Sequence, residues 1–180
     1  MLLPVPYFSQ FLTVTDLTRQ RSACSVTCLA MALAYLMPDD APSPDELYEE
    51  GERIGGRDAN GNWTHDGIVR LSRNHGVLAY SQEFRSLKGG SPSRYEEEFV
   101  RRGIEKIRTS ILSGLPVIAS IVRRGGATPH TVVIVGVDER GFLVHDPDAR
   151  KEEDGKYVIL SIEEFRNIWR KFAVFFEQKN

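Results

Sequence analysis

The sequence has two cysteines, Cys24 and Cys28, no long apolar run and almost no charge imbalance, and each of these shortages removes a class of function. Two thiols one helical turn apart have poor geometry for a disulfide and are too few for a structural zinc site. Free thiols suit a reducing compartment. No stretch approaches the roughly 20 apolar residues that span a bilayer, and Met1-Leu2-Leu3-Pro4 is not the charged-then-apolar start of a secretory signal. The expected location is the cytoplasm, with export by a signal-independent route as the alternative. The chain carries 23 basic and 25 acidic side chains and a net charge of -2, which provides no field for holding a nucleic acid or an anionic membrane.

What is present reads as one domain over residues 1–180, because no repeat, low-complexity tract or linker divides them. A globule of this size buries about 70% of the surface of its unfolded chain, enough for a core without staples. The fold class expected is α+β, with helices in the first two-thirds and strands in the last third. Two prolines hold Leu3 to Phe8 extended. From Ala23 to Met37 the chain is apolar nearly all round, which marks a buried central helix ended by Pro38. Capping boxes at Ser43/Glu46, Ser93/Glu96 and Ser161/Glu164 announce further helices. Another is expected over Thr64 to Asn74. The helix after Ser93 should turn Phe99, Ile104, Ile107, Ile111 and Leu112 inward. The short helix after Ser161 should carry Phe165, Ile168 and Trp169. PVIASIV, HTVVIVGV, FLVHDP, KYVIL and AVFFE are β-branched or aromatic runs of strand length.

Chemistry can be sought in a few residues. Cys24 stands at the start of the buried helix, where unpaired N–H groups and the helix dipole favour a thiolate; the alternative is a small packed core residue. Cys28, one turn further in, reads as core. His130 opens a strand after a breaker-rich stretch, so its imidazole can stand at a sheet rim as a base; the alternative is a capped strand end. Asp146 ends the next strand and could orient that imidazole. A tight turn at Glu139-Arg140 would pair Asp146 with Val133 on the face opposite His130, so the functional arrangement requires a wider loop or a bulge around Gly136 to Gly141. Gln10 could supply an oxyanion donor beside the Cys24 N–H, although a lone Gln is usually a solvated side chain. Asp58 to Asn62 reads as a turn rather than a calcium loop, since Trp63 and Val69 occupy positions that would need Gly and Glu. Trp63-Thr64-His65-Asp66 reads as a helix start with a packed Trp that could line a groove. His75 and His145 read as structural or solvated, and Arg101-Arg102 and Arg123-Arg124 as charge pairs on solvated surface.

The ordered set VPYFSQ, ACSVTCLAMALAYL, GLPVIASIV, HTVVIVGVD and FLVHDPD, with GNWTHDGIVRLSRNHG and SIEEFRNIW between and after, resembles the peptidases that remove double-glycine leaders from bacteriocins and their stand-alone relatives. The resemblance runs from about Val5 to Phe175. It implies a papain-like fold, with a helical half packed on an antiparallel sheet and a cleft between them. It also implies Cys24 as nucleophile, His130 as base, Asp146 as its orienting partner and Gln10 as oxyanion donor. Ser25-Val26 depart from the Gly-Pro usual in that family. The activity implied is hydrolysis of a peptide or protein substrate through an acyl-enzyme, with no metal or organic cofactor. The same scaffold leaves two alternatives: a peptidoglycan amidase or acyl transferase, and an inactive peptide-binding module. The pairs Gly55-Gly56, Gly89-Gly90 and Gly125-Gly126 read as loop glycines rather than self-processing sites.

Overall fold

The computed structural model describes residues 1–85, 95–123 and 128–177. The expected capping serine Ser93, Arg124 and the pairs Gly89-Gly90 and Gly125-Gly126 lie outside them. The central helix α1 runs Cys24–Leu36, and every residue from Ser25 to Leu33 is buried, as an all-round apolar sequence requires. Two helices pack beside it: α2 (Pro44–Arg53) and α3 (His65–Asn74). Ser43 and Glu46 form the reciprocal capping box at the start of α2, and Thr64 Oγ1 accepts the Gly67 N–H at the start of α3. On these follow β1 (Ala79–Glu83), α4 (Glu96–Leu112), β2 (Val117–Val122), β3 (Pro129–Asp138) and β4 (Gly141–His145). The chain closes with α5 (Glu152–Gly155), β5 (Val158–Leu160), α6 (Ile162–Ile168) and β6 (Trp169–Phe176).

The six strands form one antiparallel sheet in the order β1-β6-β2-β3-β4-β5. Strand β1 breaks the expected order of helices first and strands last. It is an edge strand whose outward residues Ser81 and Glu83 are polar, so it carries little of the apolar signal of the central strands. Helix α4 is rotated from the expected face. Val100, Gly103, Ile107 and Ile111 are buried, whereas Phe99 and Leu112 are 39% and 57% exposed. Gly103 is the reason, since a Cβ there would stand 2.4 Å from the Trp169 ring and 2.7 Å from Phe84. The helix presses its backbone against two aromatics, and a glycine contributes nothing to a hydrophobic pattern. Trp169 itself begins β6 rather than ending α6.

Three features bring the later chemistry into place. The β3–β4 turn is tight, with Asp138 opposite Gly141, but the register slips between Ile134 and Gly136, leaving Val135 as an extra residue in β3. The bulge stands one residue before the interval expected for it. Beyond it His145 pairs with Val133, so continuing by one residue sets Asp146 opposite Val132, on the same face as His130. Second, the extended N-terminal segment runs along β3 where β2 has ended. Leu3 N–H donates to the bulged Val135 carbonyl at 2.8 Å, and Met1 exchanges bonds with Val137 at 2.9 Å. Third, the same segment ties down the loop after β4. Tyr7 Oη donates to the Asp146 carbonyl at 2.9 Å, Ser9 Oγ to the Ala149 carbonyl, and Gln10 N–H to the Pro147 carbonyl at 2.8 Å.

Gly155 makes the third feature possible. Its carbonyl accepts the Asp146 N–H at 2.8 Å, and a Cβ on it would lie 2.1 Å from Tyr7 Oη and 2.5 Å from the Asp146 carbonyl oxygen. Gly155→Ala is therefore expected to cost about 1–3 kcal/mol by overpacking and to lower the thermal midpoint by several degrees. Removing the hydroxyl in Gly155→Ala/Tyr7→Phe should recover part of that loss, whereas two additive losses in thermal unfolding would show that the two side chains do not compete for one space.

Candidate active site

Cys24 is the first residue of α1, partly exposed at the floor of a groove of about 460 Å³ that His130, Trp63 and His65 also line. The segment before it is fixed rather than loose. Gln20–Ser22 form a single 3-10 turn, and the Ser22 carbonyl accepts the Trp63 indole N–H at 2.7 Å. The Trp63 ring lies on Gly51, where a Cβ would be 2.3 Å from it, and meets Tyr48 edge-on. The packed Trp expected from the sequence thus also holds the strand of chain that delivers Cys24. The helical bonds of α1 begin with that of the Thr27 N–H to the Ala23 carbonyl at 2.9 Å, and the helix dipole at this end favours an anion at the Cys24 thiol.

His130 is buried, 3% exposed, at the start of β3. Its Nε2 is 2.7 Å from Asp146 Oδ1, which also accepts the Asp148 N–H at 2.9 Å. That leaves Nδ1, buried and without a hydrogen bond among the described residues, as the nitrogen available to Cys24. Charge follows this geometry. Burial pushes the Cys24 thiol up, but its interaction with His130 and smaller ones with the Ser25 and Thr131 hydroxyls outweigh it, and the net pKa is below that of an ordinary thiol. Of the interactions that lower the thiol, the one with His130 is the largest. Burial alone would lower the imidazole, yet Asp146 and Cys24 raise it to about 9. Asp146 is held below the usual carboxylate range against its own burial, chiefly by His130. Burial and the Asp146 charge push the Tyr7 phenol up to about 12, so it stays a donor.

The structure thus brings Cys24, His130 and Asp146 together. Gln10 packs against the Asp146 loop, wholly buried, and neither end of its amide has a partner among the described residues. It is not a solvated side chain. Cys28 is buried and its thiol, raised well above normal by burial and by Cys24, donates to the Thr131 carbonyl at 3.4 Å. Ser25 fits without distortion: its Oγ is 2.8 Å from Thr131 Oγ1 and 3.9 Å from Cys24 Sγ. Thr131 was not among the sequence candidates, and its position beside His130 was the one available signal.

The remaining candidates make other contacts, although Asp58, His65 and Arg123 also line the groove. Asp58 Oδ1 accepts the Asn60 and Asn62 N–H groups in a local turn, both at 2.9 Å. His75 meets Glu50 at 2.8 Å, and His145 is a core histidine between the Val5 carbonyl and the Tyr157 N–H. Arg101 and Arg102 pair with Glu98, and Arg123 with Asp148. His65 stacks on Phe172 with ring centres 3.6 Å apart, and burial followed by the Arg170 charge lowers its pKa to about 4.

A helix that presents a thiol to a histidine on an antiparallel sheet defines the papain-like cysteine peptidase fold. The chain belongs to one family within it: the Peptidase_C39 like family matches residues 2–174. Its members are cysteine peptidases. Solved structures agree on the fold at low sequence identity. A putative C39-like peptidase from Bacillus anthracis is 17% identical, with a TM-score of 0.65, covering 99% of this chain and 98% of its own. The peptidase domain of Streptococcus ComA, a bifunctional ABC transporter, is 18% identical, with a TM-score of 0.61 over 88% and 93%. A double-glycine-motif protease of an AMS/PCAT transporter, solved in complex with a leader peptide, is 19% identical, with a TM-score of 0.59 over 99% and 94%. No curated protein sequence matches the chain. Among the described residues no helix is long and apolar enough to cross a membrane.

If the thiol and imidazole share charge as described, Cys24 should react with iodoacetamide well below the range of a free thiol, near 8.5, while Cys28 stays inert. His130→Ala should move the Cys24 profile up, to or past the free-thiol value, because burial then acts unopposed. Mass spectrometry of the alkylated peptides reads both, and a profile indifferent to His130 would separate the two residues.

Proposed function

We propose that this protein hydrolyses a peptide bond in a peptide or protein substrate, with Cys24 as nucleophile, His130 as acid and base, and Asp146 as orienting partner. The observation that carries the reading is the division of labour on the His130 ring: Nε2 engaged by Asp146, Nδ1 buried and free beside a thiol at a helix N-terminus. The Cys24 thiolate attacks the carbonyl carbon and a tetrahedral oxyanion forms. Protonated His130 gives its proton to the leaving amine, the C–N bond breaks and a thioester remains. Water then attacks the thioester, His130 takes the water proton, and thiolate and imidazolium are restored. The backbone N–H of Cys24 and the side-chain amide of Gln10 hold the oxyanion. A related fold bound to a leader peptide supports a peptide as the occupant of the groove.

The buried, unpaired Gln10 amide supports its part in this scheme. Such a group costs about 1–3 kcal/mol in a protein interior, a cost that is met when an oxyanion arrives to accept its proton. Gln10→Leu is accordingly expected to raise the unfolding midpoint and at the same time to lower kcat by about 100- to 1000-fold with little change in KM. A variant that is stabilised but fully active would remove Gln10 from the mechanism.

The pH dependence has a definite sign. As pH rises through the lowered Cys24 pKa, the thiolate forms and kcat/KM rises; as it passes about 9, His130 loses the proton that the leaving amine needs, and kcat/KM falls. A bell with its alkaline limb near 9 is expected for hydrolysis of a fluorogenic peptide, and Cys24→Ala should abolish turnover. An alkaline limb unmoved by His130→Asn would exclude His130 as the acid.

A further inference from the structure

The groove carries more positive charge than the rest of the chain. Three arginines line it, Arg21, Arg123 and Arg170, although the net charge is -2. Arg123 is neutralised by Asp148. Neither Arg21 nor Arg170 has a carboxylate partner among the described residues. The carboxylate of the groove wall, Asp58, is occupied by the Asn60 and Asn62 N–H groups. His65 adds no charge near neutrality, because burial and then the Arg170 charge hold its imidazole low.

Arg170 is also aimed. Its Nη1 donates to Ser120 Oγ at 3.1 Å, and Ser120, itself 6% exposed, pairs in register with Thr131 on β3 and Phe172 on β6. Cross-strand neighbours have Cβ atoms about 5 Å apart. Thr131 bonds Ser25 at 2.8 Å, and Ser25 is 3.9 Å from Cys24 Sγ. A row of polar groups therefore leads from the thiol to the guanidinium over at most about 18 Å. An extended peptide advances about 3.3 Å per residue, so Arg170 lies within about five residues of a bond held at Cys24.

We infer that Arg170 binds the side-chain carboxylate of an Asp or Glu within about five residues of the scissile bond, making acidic peptides the substrate class of this groove. The assignment deepens the peptidase reading and rests on it. Arg170 can offer a carboxylate two parallel N–H groups while keeping its bond to Ser120. Arg21, on the same groove, adds attraction without a fixed contact.

The test uses a random pool of peptides amidated at the C-terminus, so that only side-chain carboxylates count. In one arm the pool is digested by the wild-type chain and by Arg170→Gln, and cut sites are read by mass spectrometry. In the other it is passed over immobilised Cys24→Ala and Cys24→Ala/Arg170→Gln, and bound peptides are sequenced. Expected is roughly tenfold enrichment of Asp and Glu at one position near the cut, and among bound peptides, weakened in high salt and lost in Arg170→Gln. Arg170→Glu should reverse the preference toward Lys and Arg. Equal treatment of Glu and Gln peptides, or a preference that survives Arg170→Gln, overturns the inference and leaves the peptidase reading intact. Acid-selective binding with no cleavage overturns the peptidase reading instead. Binding recovered only with free C-termini assigns Arg170 to a terminal carboxylate and overturns the side-chain version.

Discussion

Asp146 meets His130 because β3 holds one residue more than β4 between their shared turn and the groove. In a regular hairpin with this turn, side-chain parity would set the carboxylate against the far face of the sheet, whatever the residue type. The extra residue, Val135, changes the parity once, and everything downstream on β4 changes face with it. Beside the bulge, on the edge of β3 that β2 does not reach, the N-terminal segment takes the Val135 carbonyl through Leu3. The segment that stabilises the bulge is the one that continues to Tyr7, Ser9 and Gln10 and clasps the loop bearing Asp146. Bulge, N-terminal strap and carboxylate thus form one mechanical unit, and a change in any of them is felt at the imidazole.

The charges in that unit are close to balance. Two unit charges about 4 Å apart attract by about 4 kcal/mol at an effective dielectric constant of about 20, while burying each ion costs several kcal/mol. A thiolate and an imidazolium alone would be near break-even against the neutral pair. What tips the balance is the surroundings: Asp146 behind the imidazole, the Asp148 N–H behind Asp146, the hydroxyls of Ser25 and Thr131 and the first turn of α1 around the sulfur. Cys28 shows the outcome without them. It is on the same helix but is fully buried and one turn further from the helix start, and its thiol is pushed up rather than down.

The parts legible in the sequence are those written in local chemistry. An all-round apolar run is a buried helix in any context, capping boxes mark helix starts, and β-branched runs between turns are strands; the central helix, the boxes at Ser43 and Ser161 and the strands are found where expected. Cys24, His130 and Asp146 were legible as candidates from their places at element ends. What was not legible depends on long-range geometry. The bulge at Val135 has no residue signature, since valine fits a regular strand equally well. The inward face of α4 is set by Gly103, whose contribution is an absence of side chain. Strand β1 is polar on its outer face. Gln10, which a local reading would leave in solvent, is buried only because the strap folds back on the Asp146 loop.

Ser25 belongs to this same long-range geometry. The start of α1 also meets β3 through packing, the Cys28–Thr131 contact and the interaction of Cys24 with His130. A serine hydroxyl adds a direct bond to Thr131 Oγ1, and through the β2–β3 register Thr131 is the neighbour of Ser120, which holds Arg170. Ser25 therefore links the helix that begins at Cys24 to the part of the groove lined by Arg170. On the proposed roles, reaction and recognition would share one row of hydroxyls across α1, β3 and β2, and any displacement of β2 would move the guanidinium and the hydroxyls beside the thiol together.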